Sequence, residues 1–155
     1  MIGENWSSVS PQQIGQIAEY IARIEFAKQG FSIYIPEIDD RGVDLLIHRD
    51  DTGYMKVQVK SLRGTGYVFM RKKHFKPAPD LALCLIVFSG PSVEMFFIPS
   101  TRWLTPCGVF RDNDYLEAKS APEYGINVSR KNLDTLRAFN FVELTRPANE
   151  KYDQS

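Results

Sequence analysis

Asp44, Gln58 and Lys60 are the residues of this chain whose types and spacing can do chemistry together. Cleaving a phosphodiester in water takes a divalent cation held by hard oxygen donors, a water to attack, and positive charge near the oxygen that becomes anionic. Between Gly42 and Lys60 the chain offers the Asp44 carboxylate, the Gln58 amide oxygen, the Val59 backbone carbonyl and the Lys60 ammonium. That set suits Mg²⁺ or Mn²⁺, with Lys60 orienting the water or helping to deprotonate it. Just downstream, Arg63, Arg71, Lys72, Lys73, His74 and Lys76 gather basic charge among Tyr67, Phe69 and Phe75. Cations beside aromatics suit phosphate contacts and base stacking, so the expected partner is nucleic acid. Each feature also has a plain alternative. An Asp and a Lys on neighbouring strands commonly make a solvated pair worth under about 1 kcal/mol. A basic loop often only offsets nearby acids.

Elements must hold these groups. Ser10 and Pro11 read as the N-cap and first residue of a helix, whose apolar positions recur every three or four residues until Gly30 closes it. FSIYIP reads as a short strand. VDLLIHR and YMKVQVK then flank an acidic turn at Asp50–Gly53 and read as a hairpin. Period two puts Met55, Val57 and Val59 on one face of the second strand, and Lys56, Gln58 and Lys60 on the other. The hairpin register brings Asp44 to the end of the partner strand opposite Gln58–Lys60.

The segment from Ser61 to Asp80 holds two glycines and the basic cluster, and reads as a mobile loop leading into structure. LALCLIVF has the unbroken apolarity of a central strand covered on both faces, and VEMFFIP follows after a turn. TRWL reads as one helical turn with Trp103 as a core anchor. Residues 106–125 read as irregular, followed by a strand at GINV, a helix capped by Ser129, and a closing FVEL segment. The order helix, strands, helix predicts an α/β sandwich with a central mixed β-sheet flanked by helices. Residues 1–145 are expected to form one domain and 146–155 a polar, disordered tail.

Nineteen basic residues balance nineteen acidic ones, so any nucleic-acid binding must come from local clustering. Two cysteines, Cys84 and Cys107, make no disulfide framework or metal-ligand spacing. The first residues lack the pattern of a secretory signal, and no run approaches the roughly 20 apolar residues of a bilayer span. The expectation is a cytoplasmic protein with no membrane contact. No phosphate-cradling glycine loop or Ser-His-Asp arrangement occurs.

At the strand-opening Gly42-Val43-Asp44-Leu45-Leu46 and the strand Val57-Gln58-Val59-Lys60-Ser61, the sequence resembles the PD-(D/E)XK nuclease superfamily, particularly its restriction-endonuclease-like and Holliday-junction-resolvase-like members. The resemblance extends from a first helix carrying Glu19 to Ile98-Pro99-Ser100. It implies a restriction-endonuclease-like fold, metal-dependent hydrolysis of DNA, Asp44, Gln58 and Glu19 as Mg²⁺ ligands and Lys60 as the catalytic lysine. The chain departs from the pattern in two places. Gln58 stands where an acid is commoner, which weakens attraction for a dication, and Val43 replaces the proline. A catalytically weak or inactive relative, serving as a nucleic-acid-binding or protein-interaction module or as part of a defence or mobile-element system, is the alternative. Many relatives dimerise to cut two strands, so a homodimer is a further expectation. Gln16, Glu37, Asp39 and Asp40 are secondary candidates as ligands, and His74 for proton transfer.

Overall fold

The computed structural model describes residues 5–38, 41–117 and 119–148. Helix α1 spans Pro11–Lys28, and Ser10 and Gln13 cap it reciprocally, each side chain accepting from the other's backbone N–H. Ile14, Ala18, Ala22 and Phe26 form its buried stripe. The four-residue spacing keeps them on one face, and two alanines let the helix lie close to the sheet.

Among the described residues eight strands follow: β1 (Ser32–Tyr34), β2 (Leu45–Arg49), β3 (Gly53–Arg63), β4 (Gly66–Arg71), β5 (Leu81–Ser89), β6 (Ser92–Pro99), β7 (Phe110–Asn113) and β8 (Glu123–Val128). Five of them make a mixed sheet in the order β1-β2-β3-β5-β6, in which β3 and β5 are parallel and the other pairs antiparallel. Helix α2 (Arg130–Leu136) is capped by Ser129, and α3 (Phe141–Thr145) by Asn140. The expected central mixed sheet flanked by helices is present.

β5 divides the core. Ala82, Cys84, Ile86 and Phe88 join the α1 stripe, Val57, Val59 and Phe141 on one face, while Leu81, Leu83, Leu85 and Val87 join Phe75, Trp103, Phe110 and Leu136 on the other. Continuous apolarity in LALCLIVF is thus the consequence of two covered faces. Burial pushes the Cys84 thiol up, with the nearby Asp44 carboxylate adding to the effect, so Cys84 is an inert core residue. Trp103 is buried, and its indole N–H donates to the Gly125 carbonyl at 3.0 Å, as expected of an anchor.

Two stretches differ from expectation. The supposed mobile loop 61–80 continues β3 to Arg63, turns at Gly64, and returns as β4. Residues 106–125 contain β7 and the start of β8. These strands build a second sheet, β4-β8-β7, over the second face. Its pairing joins residues about sixty positions apart, such as Val68 with Ile126, and local pattern carries no record of such a partner.

On the outer face of this second sheet Tyr67 lies across Gly125. A methyl group at Gly125 would stand 1.9 Å from the Tyr67 hydroxyl, so any larger residue there would have to displace the Tyr67 ring. Burial of the hydroxyl end, together with the Glu123 carboxylate beside it, pushes the Tyr67 phenol up to about 12. The unfolded chain ionises this phenol near pH 10, so between about 10 and 12 the folded state binds the extra proton and stability falls as pH rises. A near-ultraviolet phenolate titration is expected to show one late tyrosine that is missing in Tyr67→Phe. An unchanged titration in that variant would contradict the assignment.

Candidate functional site

β2 begins at Leu45, but Asp44 just before it already pairs with β3: its backbone N–H donates to the Val57 carbonyl at 2.9 Å. Its carboxylate Oδ2 then accepts from the Val59 N–H at 2.6 Å. Asp44 therefore takes the ladder position that a further β2 residue would have filled, at the point where β3 runs on beyond β2, paired with β5. The N–H and C=O of one strand residue point to the same edge, so the Val59 carbonyl faces Asp44 too. Val59 lies between Gln58 and Lys60, and the acid is thereby brought to the Gln-x-Lys segment, as the hairpin register predicts.

Gln58 and Lys60 project to the face opposite α1: in the parallel register they align with Leu83 and Leu85, and Leu62 packs on the same side. Gln58 is 8% exposed, and its Oε1 is buried without a hydrogen-bond partner among the described residues. An unmet buried acceptor costs about 1–3 kcal/mol, so this oxygen is held ready for a donor or a cation. Lys60 is half-buried, and no carboxylate pairs with it among the described residues; its Nζ lies 5.8 Å from the centre of the Phe69 ring.

Gly42 connects this pair to a groove. Its φ of +68° is the left-handed conformation that glycine tolerates, and a Cβ there would sit 3.0 Å from His74 Cβ and 3.4 Å from Gln58 Nε2. Beyond it Arg41, Val43, Lys56, Lys73, His74 and Lys76 line an open groove of about 310 Å³. Its floor is fixed. Phe75 is fully buried against Trp103, and the Ser100 hydroxyl bonds both the N–H and the carbonyl of Ala78 at 2.9 Å. Gly42→Ala is expected to cost about 1–2 kcal/mol from backbone strain alone, and more if His74 cannot move. Thermal denaturation would measure it, and a native melting temperature would refute the close packing.

The basic cluster divides by role. Arg63 donates to the carbonyls of Trp6 and Val9 at 2.8 and 2.6 Å and ties down the chain before α1. Arg71 pairs with Glu123 at 3.8 Å and donates to the Ala121 carbonyl. Lys72 bonds both Asp112 and Asp114, and although burial works to lower its pKa, these two acids prevail and raise it. Lys73, His74 and Lys76 reach the groove, where Lys73 and Lys76 have no ion pair among the described residues. Arg41 and Lys56 are groove residues that the sequence reading missed. Lys56 was legible, since it shares a β3 face with Gln58 and Lys60.

Glu19 sits on α1, the helix covering the opposite face, and its closest basic partner is Arg23 at 3.9 Å. Gln16 is exposed on the same helix and Glu37 lies in the exposed segment after β1, while Asp39 and Asp40 lie outside the described residues. His48 lies against Tyr54, 4.4 Å between ring centres with the planes tilted by 44°. Cys107 is exposed. No helix among the described residues is long and apolar enough to cross a membrane.

Gln58 Oε1, the Val59 carbonyl and the Asp44 carboxylate are hard oxygen donors of the kind Mg²⁺ and Mn²⁺ take. The orphaned Gln58 oxygen is the feature that fits such an ion. Among the described residues, however, no three His, Cys, Asp or Glu side chains cluster as a metal site, so the donor set is lean in charge. No family model matches the chain, and no curated protein does. The chain is similar to the solved structure of a bacterial homing endonuclease, I-Ssp6803I, with 18% identity over 77% of each chain and a TM-score of 0.47.

Proposed function

We propose that this chain is a metal-dependent nuclease that hydrolyses DNA phosphodiester bonds by water attack. The observation carrying the reading is the buried Gln58 oxygen beside the Asp44-capped Val59 amide and two residues from an ammonium, neither with a partner carboxylate or donor among the described residues. Asp44, Gln58 and the Val59 carbonyl would hold Mg²⁺ or Mn²⁺, without Glu19, which lies on the helix across the sheet. A bound dication supplies Lewis-acid stabilisation of the phosphate and a more acidic water. Lys60 orients that water and offsets charge developing on the phosphate. Lys73, Lys76, Arg41 and Lys56 hold the flanking phosphates, and Gly42 keeps the groove and the Gln58 amide in contact. The restriction-endonuclease-like fold and a homodimer that cuts both strands belong to the same proposal.

A second reading has its own support. With one carboxylate at its centre and no three-residue acidic or histidine cluster among the described residues, the site also suits a relative that binds nucleic acid without cutting it. Incubation with plasmid, branched and single-stranded DNA plus Mn²⁺, with and without chelator, separates the two. Chelator-sensitive cutting that disappears in Lys60→Ala supports the nuclease. Equal binding with chelator, and no cutting with any of the three, supports the binding module.

A further inference from the structure

Tyr67 and Phe69 stand on the outer face of the β4-β8-β7 sheet, 38% and 39% exposed, with ring centres 6.5 Å apart and planes only 21° from parallel. Large aromatics left half in water on an open sheet face have not been placed by the core. Tyr67 is also held still. Its ring occupies the space left by the missing side chain of Gly125, and Asn113 Nδ2 donates to its hydroxyl at 3.0 Å. Phe69 is approached by two cations: Lys60 Nζ at 5.8 Å and the Arg71 guanidinium at 4.9 Å from its ring centre. Of the nearby acids, Glu123 pairs with Arg71 and sits beside the Tyr67 hydroxyl, and Asp112 and Asp114 share Lys72. What remains is an aromatic surface approached by one cation, Lys60, that has no ion pair among the described residues.

Rigid aromatic faces beside cations match the chemistry of a nucleobase with its phosphate. Bases inside a duplex have both faces covered by stacking, so such a surface selects unpaired ones. We propose that Phe69, supported by Tyr67, is a stacking platform for an unpaired nucleotide, whose adjacent phosphate is drawn by Lys60, so that the strand is led to that lysine. Only the last step rests on the nuclease reading. The stacking itself does not need the metal or the cleavage, so it can be tested apart from them. It also narrows the substrate to single strands or to DNA with unpaired stretches, such as branched or frayed ends.

The test is fluorescence anisotropy of a labelled oligo-dT strand and of a labelled duplex, in chelator, with the full chain. Phe69→Ala and Phe69→Leu are expected to weaken oligo-dT binding by about 5- to 100-fold, the range that loss of one stacked base produces. Phe69→Trp is expected to bind as tightly as the native chain or more tightly, and duplex binding is expected to change less than the single-strand binding in every variant. Far-ultraviolet circular dichroism and thermal denaturation identify any variant that is not folded, in which case the Leu and Trp pair decides. Phe69→Leu binding oligo-dT at native affinity overturns the proposal, and so does an equal loss for duplex and single strand. Loss of oligo-dT binding in a protein that never cuts DNA would remove the nuclease reading and keep the platform; cutting by a protein indifferent to Phe69→Leu would do the reverse.

Discussion

Lys60→Ala is expected to slow Mn²⁺-dependent cleavage by about 10²–10⁴-fold, the range for losing a group that positions or deprotonates the nucleophile. The fold should hardly notice. Lys60 pairs with no carboxylate among the described residues, and its contact with the Phe69 ring at 5.8 Å is one that contributes about 0.5–1 kcal/mol at an exposed site. A large kinetic effect with a small thermal one is the signature of a catalytic rather than a structural lysine. Single-turnover cleavage of end-labelled DNA measures the first and thermal denaturation the second. Native cleavage rates in Lys60→Ala would assign the chemistry to other residues.

Gln58→Glu is expected to act in opposite directions with and without metal. Gln58 is 8% exposed, its oxygen is partnerless, and the Asp44 carboxylate is held against the next residue's amide. A carboxylate placed there meets both desolvation and a neighbouring negative charge, each of which raises its pKa. The folded protein then holds the proton more tightly than the unfolded chain, so the variant loses stability as pH rises above the ordinary Glu range near 4.3. At neutral pH without metal the loss is expected to be about 1–3 kcal/mol, and it should fade as the pH is lowered. Mn²⁺ reverses the sign: a second carboxylate strengthens an oxygen site that was short of charge, and binding to the native state alone raises the melting temperature. Thermal denaturation across pH, with chelator and with Mn²⁺, reads both effects. A variant no more responsive to Mn²⁺ than the native chain would remove Gln58 from the ligand set.

Much of this architecture was written in local pattern. The Ser10 cap, the α1 stripe, the hairpin over Leu45–Arg63, the alternation that sends Gln58 and Lys60 to one side, and the doubly covered β5 all follow from periods of 3.6 or 2 and from capping chemistry. These are interactions between residues close in sequence, or between partners joined by a tight turn. The convergence of Asp44 on Gln-x-Lys belongs to that class, because a two-stranded register carries it.

Other features were set by contacts between distant segments. Glu19 lay within reach on paper, but the side of the sheet that α1 covers is decided by packing, and α1 covers the face away from Gln58 and Lys60. The basic run from Arg63 to Lys76 looked uniform, yet hydrogen bonds and ion pairs with residues such as Trp6, Asp112 and Glu123, far along the chain, commit half of it to structure. The groove exists because Gly42 meets His74, and the second sheet because β4 finds β8. Burial and long-range pairing depend on the whole chain's placement, and a window of ten residues does not contain them.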